Sequence, residues 1–245
     1  MPERFSLIKT EIRDPEKRIL PRFPFSTMTF KLAKESEAES SSHAFQVSNI
    51  SSGGMGLGLI SGSHQIKKGD FVSGDLRWRE NSLTLSGEVA WTNAQGFGLM
   101  FQDDMSEIMR EKLDNILSLE TISRNLRAIH KTEMGINIPS NLKIWLRTDG
   151  PVEIFYWTHN DNEFQKIQIL VLDQYFEWED GKGISTGEIL SLKNIESPLN
   201  QSDEYSVSID SDVNDDCLKK VSRLIENVAS DILPDDAKNF LRCKL

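Results

Sequence analysis

The stretch FQVSNISSGGMGLGLI, residues 45–60, alternates apolar and polar residues, reaches a pair of glycines and then alternates again. A period of two residues is the pattern of a half-buried β-strand, so two strands are expected here. Between them, Asn49 and Ser51 carry short polar side chains that bond their own backbone or face a ligand. Gly53 and Gly54 permit positive φ and let another group approach the backbone closely. The stretch therefore predicts two strands joined by a tight polar corner.

Arg18 and Arg22 precede this stretch with the spacing RxxxR. Arginines recur at that spacing by chance, so the pair gains weight only from the segments downstream of it. A strand pattern at 25–32 comes next, and NxSxxG then occupies residues 49–54. RxxxR, a strand and NxSxxG in that order is the pattern of the PilZ domain, and this sequence resembles that family.

Two later segments extend the resemblance. GEVAW at 87–91 and GFGLMF at 96–101 are similar to later strands of the family, which usually read GxVxW and glycine–hydrophobic–GxxF. The resemblance covers residues 14–103 and implies an all-β N-terminal domain, a six-stranded antiparallel PilZ barrel. Strand alternation alone would also fit a β-sandwich, because both architectures use short antiparallel strands with polar turns.

The PilZ resemblance implies binding of cyclic di-GMP, a bacterial second messenger. By position, Arg18 and Arg22 would hold guanine edges and phosphate, because a guanidinium bonds guanine O6 and N7 together or grips a phosphate. Asn49 would bond a guanine edge, and Ser51 would bond a nearby base or phosphate. Gly54 would leave room for the base.

Two residues bear on how this ligand would bind. Lys17 stands directly before the first arginine, and in the family this position influences how many ligand molecules bind. Asn49 occupies a position where Asp is also common. Asparagine keeps an acceptor but lacks the charge that favours the N–H donors of guanine, so we expect a modest affinity.

Charge is unevenly distributed along the 245 residues, whose net charge is −10. Residues 1–103 carry 12 basic and 12 acidic side chains, whereas residues 104–245 carry 16 and 26. Residues 1–34 hold 8 basic and 4 acidic side chains, so the segment with RxxxR is locally basic and attracts an anionic ligand. No basic face of the size that phosphate neutralisation requires is evident, which argues against nucleic acid as the main partner.

The sequence indicates a cytoplasmic protein, and the PilZ resemblance implies a bacterial one. No apolar run is long enough to span a bilayer, and the charged N-terminal segment lacks the apolar region of a secretory signal. Cys217 and Cys243 are too few for a disulfide scaffold and have no CxxC or Cys/His partner.

The sequence shows no catalytic or metal-binding motif. Its four histidines have neither HxxxH nor HExxH spacing, so a zinc site is not expected. The GxSxG motif of serine hydrolases is absent as well. We therefore expect a protein that is not an enzyme and that needs no cofactor.

The pattern after the barrel predicts a long helix over 104–131, within a connecting segment 104–134. Apolar residues recur there every three or four positions, with charges between them. They are Met109, Leu113, Ile116, Leu119, Ile122, Leu126 and Ile129. The favoured interpretation is a helix packed on the end of the barrel and leading to the next domain. The alternative is a coiled-coil seam, which would make the protein a homodimer through residues 104–131.

Residues 135–245 predict an α+β domain of unknown type, because strand patterns are followed by helix patterns. The expected strands are 141–148, 152–158, 164–178 with an interruption, and 205–209. The expected helices are 215–232, with Asp215 or Asp216 at its N-terminus, and 235–241. Seven aromatic residues of this part are expected in its core, and the alternative is a partner-binding face. They are Trp145, Phe155, Tyr156, Trp157, Tyr175, Phe176 and Trp178. No family resemblance is evident here.

We therefore expect a cyclic di-GMP receptor and effector with a flexible arginine-bearing arm at 1–24 and a barrel at 25–103. Ligand binding would order residues 10–24 across the barrel, and the C-terminal domain would relay the signal to a protein partner. The alternative is a PilZ-fold scaffold that binds protein and not nucleotide. An enzyme in residues 140–245 would require a cleft with paired acids of perturbed pKa.

Overall fold

The computed structural model describes residues 8–10, 25, 27–33, 44–102, 105–129, 140–191 and 205–245. The chain divides into two compact units between Ser118 and Leu119. The barrel unit contains the described residues 25–118. The second unit contains the described residues from 119 onward together with strand β1, Ile8–Thr10. The predicted ligand residues Arg18 and Arg22, with Lys17, lie outside the described residues.

Six antiparallel strands close the barrel in the order β2-β3-β4-β7-β6-β5. They are β2 Thr29–Leu32, β3 Ala44–Ser51, β4 Gly54–Leu59, β5 Phe71–Trp78, β6 Asn81–Asn93 and β7 Gly96–Phe101. The prediction of a six-stranded antiparallel barrel is confirmed, and the sandwich alternative is wrong. Closure leaves the barrel without an open sheet edge.

Strand alternation fills the barrel interior with large apolar side chains. Met55 and Leu57 of β4 and Phe97 and Leu99 of β7 are all buried, with the residues between them on the outer surface. The rings of Phe45 and Phe97 meet edge to face, with their centroids 5.0 Å apart. Complete burial of each such side chain contributes about 1.5–3 kcal/mol, so the interior supplies most of the stability of this unit.

Helix α1, Glu107–Ile116, ends the barrel unit. Ser106 caps its N-terminus by accepting a hydrogen bond from the Met109 backbone N–H at 3.3 Å. Leu113 and Ile116 are buried, and the helix packs against β6.

The predicted single helix over 104–131 is wrong in extent. After α1 come a separate helix α2, Leu119–Ser123, and a short strand β8, Arg127–Ala128. The apolar spacing continues from α1 into α2, but the two helices pack in different units. Helix α1 belongs to the barrel unit, and α2 packs on a helix of the second unit. The predicted homodimer stays untested, and the helix on which it was based is ten residues long.

The second unit is built on an eight-stranded sheet in the order β1-β14-β13-β12-β11-β10-β9-β8. Its long strands are β9 Leu142–Arg147, β10 Val152–Thr158, β11 Phe164–Val171, β12 Gln174–Glu179, β13 Gly183–Ser191 and β14 Tyr205–Ile209. All pairs are antiparallel except β1 with β14. The predicted strand 164–178 is interrupted at Leu172, whose φ is 59°.

Strands β1, β8 and β13 were not predicted. The first of them corrects the expectation of an irregular arm over 1–24, because Ile8–Thr10 pairs in parallel with Tyr205–Val207. The rest of that arm lies outside the described residues.

Two further helices of the second unit follow β14 among the described residues: α3, Asp215–Asn227, and α4, Asp235–Arg242. Asn214 caps α3 by accepting from the Asp216 and Cys217 backbone N–H groups at 2.9 and 3.2 Å. Asp215 and Asp216 lie in the first turn, at the N-terminus where they were predicted. Helix α3 ends at Asn227, five residues earlier than predicted, because Val228 is extended. Its buried residues pack on β11 and β12.

The predicted core aromatics of the second unit are confirmed as buried, on both faces of the sheet. Every residue of β10 is buried. On one face, Trp145, Phe155 and Trp157 stack with centroid separations of 5.7 and 5.6 Å. The full set is Trp145, Phe155, Tyr156, Trp157, Tyr175, Phe176 and Trp178.

Candidate functional site

Ser51 lies at the corner between β3 and β4 and is 5% exposed. Its hydroxyl donates to the Gly54 carbonyl at 3.3 Å and accepts from the Gly53 N–H at 3.4 Å. Both hydrogen bonds are long, and both stay within the turn. The side chain therefore holds the corner, and its predicted contact with a base or phosphate stays a prediction.

Gly54 begins β4 directly after this corner. A Cβ at Gly54 would lie 2.5 Å from the Leu99 carbonyl oxygen of β7. The close approach of these two strands therefore requires glycine, independently of any ligand. The predicted role of Gly54 in leaving room for a base stays a prediction.

Asn49 lies at a β-bulge in β3. Val47 pairs with Leu57, but the next pair is Asn49 with Gly56, so Ser48 is one extra residue on β3. A Cβ at Gly56 would lie 3.0 Å from Asn49 Oδ1 and 2.8 Å from Ser48 Oγ. The half-buried Asn49 amide therefore lies over Gly56 on the outer surface of the barrel.

Trp91 lies at a second bulge, in β6. Val89 pairs with Leu99 and Trp91 with Gly98, which leaves Ala90 as the extra residue. A Cβ at Gly98 would overlap Trp91 Nε1, so the indole lies directly over that glycine. The Trp91 side chain is 42% exposed. Its ring therefore presents a flat apolar surface to solvent.

The two bulges belong to one row across the barrel. Asn49, Gly56, Gly98 and Trp91 are consecutive partners on β3, β4, β7 and β6. Partners in an antiparallel pair lie on the same face of a sheet, about 4.5–5.5 Å apart between Cα atoms. The Asn49 amide and the Trp91 indole therefore lie side by side, each over one of two neighbouring glycines.

Glycines continue on both sides of this row. Every outward position of β4 is glycine, and so are two outward positions of β7. These residues, Gly54, Gly56 and Gly58 on β4 with Gly96 and Gly98 on β7, form what we call the glycine strip. Met100 closes one end of the strip, opposite Gly54, and is 52% exposed.

Trp91 was missed as a site residue, because the GEVAW segment was interpreted only as a strand. The glycines at alternate positions of GMGLG and GFG were the available signal. Two strands that both show this pattern expose backbone on the same face when they pair. The bulges that bring Trp91 and Asn49 into one row have no signature in these residues.

In the second unit, Glu177, Tyr175 and Lys166 form a hydrogen-bonded network. Glu177 accepts hydrogen bonds from the Tyr175 hydroxyl and from Lys166 Nζ, each at 2.7 Å. Burial acts to raise the pKa of Glu177, but these hydrogen bonds and the charge of Lys166 outweigh it and hold the pKa below its usual value. Burial, with the Glu177 charge, raises the pKa of Tyr175. A carboxylate held ionised in this way stabilises the fold and is a poor proton donor at neutral pH.

Metal-binding clusters and membrane-spanning helices are both absent from the described residues. No three or more His, Cys, Asp or Glu side chains converge there to hold a metal ion. No helix there combines the length and apolarity needed to cross a membrane.

Comparisons with known proteins bear on the barrel unit. The PilZ domain family matches residues 16–119, and this part of the chain is a PilZ domain. A search of curated proteins found no match. Among solved structures, the chain is similar to the "PilZ domain with c-di-GMP of YcgR from Escherichia coli", at 16% identity and a TM-score of 0.35. That similarity covers 41% of this chain and 88% of the other.

Proposed function

We propose that this chain, whose residues 16–119 form a PilZ domain, is a bacterial cyclic di-GMP receptor. The ligand would bind on the outer barrel face that carries the glycine strip. The observation that carries this proposal is the single row that places the Asn49 amide beside the Trp91 indole over two glycines.

The chemistry of this row suits a guanine base. An asparagine amide both donates and accepts, as an edge of guanine requires. Stacking of a base on an aromatic side chain contributes about 1–3 kcal/mol, as measured by alanine substitution. Because Gly56 and Gly98 are direct partners, one base that stacks on Trp91 also reaches the Asn49 amide.

The arginines would supply the charge that this row lacks. Phe25 is buried in the barrel, with its ring 5.0 Å from that of Trp78, and the Met28 carbonyl accepts from the Val47 N–H at 2.9 Å. The chain therefore enters the barrel beside β3, two residues from Asn49. Arg22 precedes Phe25 by three positions, which limits their Cα separation to about 11 Å. In the sequence, Arg22 thus lies close to the first described residue of the barrel core, and Arg18 precedes it by four residues.

The output would pass to a protein partner in the cytoplasm through the second unit. The nucleotide would order residues 10–24 across the barrel, and strand β1 at Ile8–Thr10 ties that segment to β14. A ligand can shift such an equilibrium only by its difference in affinity for the two arrangements.

A second candidate is a PilZ scaffold that binds protein and no nucleotide. Phe71, Trp91 and Met100 are large apolar side chains on the outer barrel surface and are 54%, 42% and 52% exposed. Exposed aromatic and methionine side chains are enriched at protein interfaces. This candidate requires no contribution from the arginines.

Calorimetric titration with cyclic di-GMP separates the two candidates. We expect micromolar or tighter binding to the wild-type protein, loss of that binding in the Arg18→Ala/Arg22→Ala double variant, and no binding of GTP. A circular dichroism spectrum of the double variant controls for misfolding. No heat and no shift of Tm at saturating cyclic di-GMP would contradict the receptor and leave the scaffold.

A further inference from the structure

Four of the five glycines in the strip lie against other atoms of the barrel, two of them against backbone and two against side chains. A Cβ at Gly54 or at Gly96 would meet a carbonyl oxygen of the neighbouring strand, from Leu99 or Leu57. A Cβ at Gly98 would overlap the Trp91 indole, and one at Gly56 would crowd the Asn49 amide.

Gly58 is different from the other four. A Cβ at Gly58 would meet only the Gln46 carbonyl oxygen, at 3.9 Å, which is an ordinary van der Waals contact. Its φ lies outside the left-handed region that favours glycine. Glycine destabilises a strand interior relative to alanine, so this position has a cost that the fold does not explain. A glycine inside a strand often marks close approach by a ligand or another backbone.

The surroundings of Gly58 indicate what approaches it. Gln46, Gly58, Gly96 and Asn93 form the row next to that of Asn49 and Trp91. The Asn93 Oδ1 atom accepts from the Gln95 N–H at 2.8 Å, which leaves the Asn93 amide N–H groups as donors. Both side chains of this row are uncharged and exposed. Such a row suits a base edge or ribose hydroxyls better than a phosphate.

We propose that Gly58 is a ligand-contact position, where the second guanosine of the bound dinucleotide lies on bare backbone. This inference rests on the proposed function. Gly58 is two residues from Gly56, a distance of about 6.6 Å along the strand. The Met100 side chain closes the strip at the Gly54 end, so a cyclic dinucleotide with one base on Trp91 and Asn49 would extend over Gly58. A side chain at Gly58 would occupy the same space.

The test is to add a side chain at Gly58 and measure both stability and affinity. In Gly58→Ala and Gly58→Val, we expect an unliganded Tm equal to or above that of the wild-type protein. We expect the Kd for cyclic di-GMP to rise severalfold with alanine and at least tenfold with valine. Ser82→Val is the matched control, since it adds a valine at an outward position of β6. Ser82 lies near the start of β6 and Trp91 near its end, so this variant should leave the Kd unchanged.

The outcomes are distinguishable. If the wild-type protein and Ser82→Val fail to bind cyclic di-GMP, the proposed function and this inference are both overturned. If they bind and Gly58→Val binds equally well, only the contact at Gly58 is overturned, and the receptor stands. Should the valine variant fail to fold, a folded Gly58→Ala with wild-type Kd overturns the contact.

Discussion

The barrel unit and the second unit use their sheets in opposite ways. The barrel leaves glycines along one outer face, and the polar and aromatic groups beside them are uncharged and open to solvent. The sheet of the second unit is buried on both faces at β10, and its charges are paired inside the fold. Arg147 Nε lies 2.9 Å from Glu153 Oε1, with their side chains only 9% and 4% exposed. A half-open outer face can accept a ligand, whereas a buried ion pair mainly determines stability.

The largest effect is expected from the buried ion pair of the second unit. Glu153→Ala leaves the Arg147 guanidinium buried without its carboxylate, and breaking a buried pair in this way costs about 3–5 kcal/mol. We expect that loss in the free energy of unfolding measured by urea denaturation, with the Kd for cyclic di-GMP unchanged in the folded protein. A double variant with apolar residues at both positions, Arg147→Met/Glu153→Leu, should recover most of the stability. A large change of Kd with full stability would contradict the division between the units.

At Trp91 we expect a loss of affinity with little change in stability. Trp91→Ala should weaken cyclic di-GMP binding by about 1–3 kcal/mol, because it removes the surface on which a base stacks. The unliganded Tm should change little, since the side chain is 42% exposed. Calorimetry with Trp91→Phe as the matched control should give an intermediate affinity. Equal affinities of all three proteins would remove Trp91 from the site.

A smaller gain is expected at Asn49. Asn49→Asp restores a negative charge next to the donors of guanine, and charge-assisted hydrogen bonds are roughly twice as strong as neutral ones. We expect a severalfold lower Kd at neutral pH in calorimetric titration. Asn49→Ala should bind more weakly than the wild-type protein. An aspartate variant that binds no better than the alanine variant would show that this side chain faces away from the ligand.

The smallest effect is expected at Ser51. Ser51→Ala removes the hydroxyl that spans the corner, and loss of such hydrogen bonds costs about 0.5–1.5 kcal/mol of stability. Thermal unfolding should show a lower Tm, whereas Ser52→Ala, at the exposed neighbouring position, should not. If Ser51→Ala instead lowers affinity and leaves Tm unchanged, the hydroxyl contacts the ligand, as its place in NxSxxG predicts.

The barrel was predictable because its signals are local. Alternation in residues 45–60 and the glycines that interrupt it report which residues face inward, and Asn49, Ser51 and Gly54 were found at the expected corner. Their ligand roles, like those of Arg18 and Arg22, stay predictions. Trp91 was not predicted as a site residue, because its position depends on a β-bulge. A bulge is a property of how two strands pair and is not visible in one strand's sequence.

The segment after the barrel shows where local patterns fail to predict the structure. Its apolar spacing predicted one helix, yet Leu113 and Leu119 belong to different cores. Strand β13, Gly183–Ser191, was missed because its place comes from pairing with β12 on one side and β14 on the other.

The sequence by itself determined the strand pattern of the barrel, the polar corner and the buried aromatics of the second unit, because periodicity and glycine act within a few residues. Only the tertiary structure decided which residues share a row, which core each helix joins and why Gly58 differs from its neighbours. Those features depend on contacts between segments far apart in the chain, where one residue of register moves a side chain to the opposite face.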